Sequence, residues 1–272
     1  MAGFDSDFLP GASVPLPTAS DEVAGDYALT TSGEQVRHYT HYSLAMSGSR
    51  RFARWVAWNI DGGAIVKVSR KGQKFVLDTQ YAPDQQVGDD LYSDNRLDKG
   101  HIARRADLIW GPEAEARQAN KDSFFYTNIT PQLDTFNQDS REGLWGELED
   151  AIFADVDVDH LRVSVIGGPM FADDDFPYRD VLVPRSFYKV IAYVENGDLR
   201  AKAFVLTQDD LEANVRAFGL EQFKVFQTPV RELEAKTGLT FSGLADSDTL
   251  GARERGAPRP RLVRGADDVV VD

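Results

Sequence analysis

Two apolar-rich runs, residues 187–194 (FYKVIAYV) and 199–206 (LRAKAFVL), flank the tetrapeptide Glu195-Asn196-Gly197-Asp198. Asn-Gly places two residues with easy access to positive φ at the centre of a two-residue turn, so the pair predicts a β-hairpin. A hairpin needs further strands or a helix over its apolar side chains to persist in water. Other runs can supply them. Residues 64–68 (AIVKV) follow the turn Asp61-Gly62-Gly63, and residues 161–166 (LRVSVI) alternate and stop at Gly167-Gly168-Pro169. Helical spacing is sparser. Leu144, Leu148 and Ile152 fall four apart, with Trp145 and Glu149 on the adjoining face. Residues 210–218 end at Gly219, and Thr228-Pro229 opens a run over 230–236 that Gly238 stops. Strands in succession without regular βαβ alternation predict an α+β domain with an antiparallel or mixed sheet.

The 272 residues are enough for one sizeable domain with its own core. Residues 1–30, rich in Gly, Pro, Ser and Asp, read as an extended or mobile arm, 31–250 as the domain, and 251–272 as a polar tail outside the core. No apolar stretch approaches membrane-spanning length. The start lacks a basic region followed by an apolar run, so the default expectation is a cytoplasmic protein, with leaderless export as the other route. There are no cysteines, which excludes disulfides, thiolate metal sites and cysteine catalysis. Any metal must take oxygen or imidazole ligands, which favours magnesium or manganese, or a histidine-rich zinc site. Of the four histidines, His38 and His41 lie three apart, but no zinc-like carboxylate pattern surrounds them.

A net charge of −14 is the wrong sign for a phosphate binder taken as a sum. The distribution differs. Between Arg50 and Arg105 there are 11 basic residues against 7 acidic ones. Acidic clusters lie elsewhere, at 155–159, 173–175 and 209–212. A mixed-sign soluble surface explains this equally well.

Two strings carry chemistry. The first is Asp98-Lys99-Gly100-His101 followed by Arg104-Arg105. Taken alone it is a tight-turn signature. Taken as chemistry, imidazole titrates near neutral pH and suits a general base, with cations beside it to hold phosphate. The second string places Asn128, Gln132, Asn137 and Gln138 within eleven positions, between aromatics. Amides in a loop commonly satisfy buried backbone groups. An amide oxygen is also a neutral ligand for a hard cation.

Together the strings resemble the DNA/RNA non-specific endonucleases, the ββα-metal or His-Asn nucleases that include endonuclease G. The resemblance rests on Asp98 to His101, Asn128 to Gln132, Asn137-Gln138, and Trp145 to Glu149, and it extends over roughly residues 35–250. It implies an α+β fold, a central antiparallel sheet flanked by helices, with a ββα-metal motif at the active site. It implies His101 as general base, Asn137 as direct ligand to Mg2+ (Mn2+ substituting), and Glu149 positioning water. Asn128 and Gln132 would shape the site, and Asp98 would support the histidine strand. The products would carry 5′-phosphates. Lys99 stands where the family has arginine, which keeps charge but loses the planar fork. Phe153 stands where some members have arginine, so phosphate contacts fall to Arg70, Lys74, Arg104, Arg105 or Arg141. The implied partners are DNA or RNA, with no membrane. Dimerisation is common in the family, and an inhibitor or immunity protein is a further candidate partner. Two readings from other classes stay open: a catalytically silent nucleic-acid-binding domain, and an interaction protein using its acidic surface.

Overall fold

The computed structural model describes residues 3–133, 162–208, 223–248, 250 and 261–263. The helices expected at 144–152 and 210–218 lie outside these residues. Among the described residues the central element is an eight-stranded sheet. Its strands, in spatial order, are β14 (Arg261–Val263), β12 (Phe223–Thr228), β11 (Asp198–Gln208), β10 (Ser186–Glu195), β7 (Arg162–Met170), β4 (Ala53–Asp61), β3 (Tyr42–Met46) and β2 (Val36–Tyr39). Every neighbouring pair is antiparallel. The Asn196-Gly197 hairpin forms as expected, with Glu195 opposite Asp198.

The central strands are buried on both faces, which is why their sequences read as near-continuous apolar runs. Val56, Trp58, Val165, Phe187, Ile191, Phe204 and Leu206 point to one core. Trp55, Ala57, Ile166, Tyr188, Val190, Ala201 and Ala203, the alternate residues, point to the other. On the first face lie a separate two-stranded ribbon, β5 (Leu97–His101) with β6 (Ile129–Leu133), and helices α2 (Arg105–Leu108) and α3 (Glu113–Asp122). On the second face lies helix α4 (Val230–Thr237). It follows Pro229 and ends at Gly238, whose φ of 67° closes it in the left-handed conformation.

Three local expectations change. Residues 64–68 are not a strand: a 3₁₀ turn occupies Gly62–Ala64, and Ile65 makes one bridge to Trp110 while 51% exposed. The strand of that region comes earlier, at β4. Strand β7 does not stop at Gly167-Gly168-Pro169 but runs through them, because they pair with Lys189, Tyr188 and Phe187 of β10. The stretch read as an extended or mobile arm has little regular structure but is packed from Gly3 on. Phe4, Phe8, Leu9 and Val14 are buried in the second core. Phe4 N donates to Ser43 Oγ, and Asp5 N to Asn59 Oδ1. Average composition hides four apolar residues that pack into the second core beside helix α4. Within the polar tail, Arg261–Val263 supplies the edge strand β14.

Candidate active site

The site is built on the β5–β6 ribbon. Antiparallel register sets Asp98 opposite Gln132, Lys99 opposite Pro131, Gly100 opposite Thr130 and His101 opposite Ile129. The Asp-Lys-Gly-His string is therefore a strand, not a turn. Its glycine is required by close approach. A Cβ at Gly100 would sit 2.2 Å from Cδ and Oε1 of Gln132. The two strings singled out in the sequence are thus locked together at this point.

His101 ends β5 against an aromatic wall. Phe75 lies 5.5 Å from its ring, tilted, and Phe124 meets it edge-on at 5.4 Å. Its Nε2 is buried and, among the described residues, has no hydrogen-bond partner. Burial, reinforced by the charges of Arg70 and Arg105, pushes its pKa down to about 3. The imidazole is accordingly neutral at neutral pH. Arg70 stands over the Phe124 ring at 5.6 Å. Arg105 is fixed by bonds to Val68 O (3.2 Å) and Asn120 Oδ1 (2.8 Å).

Asn128 holds the turn that leaves His101. Its Oδ1 accepts from Ala103 N at 2.9 Å, and its Nδ2 donates to the carbonyls of Ala103 and Ser123. Its backbone carbonyl accepts from Ile102 N. With the whole amide engaged by backbone, its direct effect is on the path of the chain beside His101.

Lys99 lies two residues from His101, on the same face of β5. Its ammonium pairs with Asp89 and lies 5.2 Å from the Phe75 ring and 5.7 Å from that of Tyr92. Tyr126 also donates to Asp89, at 2.6 Å. Those two bonds hold the Asp89 carboxyl below its ordinary range. Phe75 therefore stands between the lysine and the histidine. Nothing in the sequence marked Phe75 or Asp89, because each touches the motif only through tertiary packing. Arg104 precedes α2 immediately after the Asn128-bound turn.

His41 serves a different purpose. It stacks on Trp110 at 3.6 Å, and its Nδ1 donates to Leu108 O at 2.7 Å. Among the described residues no cluster of three or more His, Asp or Glu side chains could hold a metal. Asn137, Arg141 and Glu149 lie outside the described residues.

The sequence profile of the DNA/RNA non-specific endonuclease family matches residues 22–247. The chain belongs to that family. A protein of Sinorhizobium fredii, y4fB, is 32% identical over 262 residues, covering 88% of this chain and 39% of that protein. The mitochondrial nuclease EXOG of Danio rerio is 27% identical over 235 residues, covering 80% of this chain and 64% of EXOG. The chain thus spans less than two thirds of the length of these two relatives. The crystal structure of the EndoG/EndoGI complex, described as giving the mechanism of EndoG inhibition, shares the fold, with a TM-score of 0.57 at 22% identity. The likeness covers 82% of this chain and 93% of the other. Among the described residues, the mostly antiparallel sheet with few helices matches the architecture of that structure. Among the described residues no helix is long and apolar enough to cross a membrane.

Proposed function

We propose that this chain is a metal-dependent endonuclease that hydrolyses phosphodiester bonds of DNA, RNA or both without reading base sequence, leaving 5′-phosphate ends. The observation that carries this reading is the state of His101: a buried, partnerless Nε2, uncharged at neutral pH, with two guanidinium groups in its field. A neutral imidazole has the lone pair needed to take a proton from an attacking water. Arg70 and Arg105 attract the phosphate diester. Once an anion sits among them, part of the field that disfavours imidazolium is cancelled, so the ring becomes more basic as substrate binds.

The other motif residues take supporting roles in this reading. Asn128 positions the turn after His101, and Gln132 with Asp98 fixes the ribbon register. Lys99 and Arg104 are proposed phosphate contacts. Glu149 is proposed to orient water, and Asn137 to hold the metal. The donor set suits a hard cation, since the chain has no thiolate and Asn137 and Glu149 offer oxygen donors. Magnesium, with manganese as substitute, would supply positive charge to the phosphate and the departing 3′ oxygen when bound. A proteinaceous inhibitor is proposed as a partner, on the likeness to the EndoG/EndoGI complex.

Digestion of plasmid DNA and of RNA with magnesium, with and without chelator, tests the activity. Cutting abolished by chelator is expected. No cutting at any enzyme level would leave a silent binding domain. Asn137→Ala is expected to move the magnesium titration to higher concentration, and an unchanged titration would remove Asn137 from the metal site.

A further inference from the structure

A second basic feature lies away from the motif strand. A groove of about 450 Å3 opens between the β3–β4 turn and the hairpin of β8 (Phe176–Tyr178) and β9 (Val181–Val183). Arg50, Arg51, Tyr178, Arg179 and Asp180 line it. Arg50 is committed to the buried Asp175. Arg51 and Arg179 are not ion-paired to a carboxylate among the described residues. Each donates one bond to a backbone carbonyl, Arg51 to Asp180 and Arg179 to Asp90. Their remaining guanidinium donors stay available.

The backbone beneath them is unusual. Arg51, Arg179 and Asp180 sit at φ 62°, 46° and 62°. These are half of the six non-glycine residues at positive φ among the described residues, and all three line this one groove. Arg179-Asp180 is a two-residue turn closing the pair Tyr178 and Val181. The same kind of turn elsewhere in the chain uses Asn196-Gly197, the residues that fit it without strain. A long basic side chain in the left-handed region costs stability that Asn or Gly would not.

We propose that this groove binds the phosphate backbone of the nucleic-acid strand as it leaves the catalytic ribbon, with Arg51 and Arg179 as phosphate contacts and the Tyr178 ring as the surface on which the Arg179 guanidinium rests. The inference rests on the nuclease reading. Arg179 supplies the physical link to the site. It bonds to the 3₁₀ turn Asp89–Tyr92, whose Asp89 carboxylate holds Lys99. The turn thus borders both the motif strand and the groove. Asp180 in the lining keeps the groove from acting as a general anion sink and favours a ligand that also offers non-ionic contacts. Backbone contacts of this kind carry no base information, which suits cutting without sequence preference.

The test is anisotropy of a fluorescein-labelled 20-nucleotide strand, as DNA and as RNA, titrated with the full chain in chelator across a range of salt. Arg51→Asn, Arg179→Asn and the double variant are compared with Arg231→Asn, a charge-matched control on α4. Asparagine tolerates positive φ, so folding is preserved and melting temperature is expected to hold or rise. The double variant is expected to bind about tenfold more weakly. Each single variant should lower the slope of log Kd against log salt by about 0.7, and Arg179→Lys should restore most of that slope. Arg231→Asn should change neither. Unchanged Kd and slope in the double variant would overturn the groove while leaving nuclease activity standing. Binding lost in the groove variants by a wild-type chain that never cuts would refute the nuclease reading and keep the groove. A wild-type chain that neither binds nor cuts would refute both.

Discussion

The β10–β11 hairpin and the β5–β6 ribbon are both antiparallel pairs, and they are built in opposite ways. The hairpin closes through Asn196-Gly197, so its register follows from two adjacent residues. The ribbon joins strands separated by residues 102–128, so its register has to be imposed from outside. Gln132 folded over Gly100, Asn128 on the turn after His101, and the Phe75–Phe124 wall impose it. The hairpin buries apolar side chains toward both cores, whereas the ribbon keeps a desolvated imidazole nitrogen without a partner. Burying a polar atom unsatisfied costs free energy that the surrounding fold must offset. One region stabilises the molecule, and the other holds a polar group unsatisfied, the state on which the proposed proton transfer rests.

The comparison breaks most sharply at His101. His101→Ala should lower turnover by about 100- to 10,000-fold, with the melting temperature kept or raised, because an unsatisfied buried atom is removed. Steady-state cutting and thermal melts check this, and a near-wild-type rate would take His101 out of the mechanism. Phe204→Ala is the mirror case. Its side chain is fully buried in the sheet, so about 3–5 kcal/mol of stability should be lost while activity per folded molecule persists, as read by denaturant titration.

Gly100→Ala sharpens the contrast further. The added methyl forces Gln132 aside, and a drop of at least about tenfold in kcat is expected for a misplacement of this kind. The double variant with Gln132→Ala should recover part of it. If Gly100→Ala lowered only stability, the ribbon would be structural like the hairpin.

A smaller effect concerns pH. In the proposed mechanism His101 accepts a proton while neutral, so activity should be lost as pH falls through its pKa in the free protein. With that pKa pushed down to about 3, the acid limb of kcat/KM should lie well below the ordinary imidazole value of about 6.5. Arg70→Gln removes one of the charges that disfavour imidazolium and should move the limb upward by less than about one unit. An acid limb that stays in place would show that Arg70 does not act on His101. The same sign governs stability. The unfolded chain takes up a proton at His101 below about pH 6.5 and the folded one does not, so folding weakens as pH falls from there toward about 3. Least of all, Gly197→Ala at φ 87° should cost about 1 kcal/mol of stability, with no change in rate.

The legibility of the two regions differs for the same reason. The hairpin, α4 and the pair of motif strings could be read because turn chemistry, capping and residue type are local. The bland reading of Asn128 as an amide satisfying backbone groups also describes its bonds, alongside its place in the motif. What could not be read were residues whose role depends on distant partners. Phe75 sits in a basic stretch with no pattern around it, and Asp89 is one acid among several, yet both shape the surroundings of Lys99 and His101. Ala64 to Val68 looks like a strand by composition, but among the described residues its pairing is limited to the short contact of Ala64 to Val66 with Ile109 to Gly111. The packed course of Phe4 to Val14 is concealed by Pro10, Gly11 and the polar residues among them.

The sequence by itself determined the chemical inventory: hard-ligand donors without thiols, an imidazole following glycine, amides between aromatics, and strands whose apolar continuity demands two cores. Tertiary structure alone decided that the imidazole Nε2 would be buried and the ring uncharged in the field of Arg70 and Arg105, and that Arg51 and Arg179 would line one groove. The physical reason is that residue type and turn propensity act over a few neighbours, whereas desolvation and electric field are set by whatever the folded chain brings within a few ångströms.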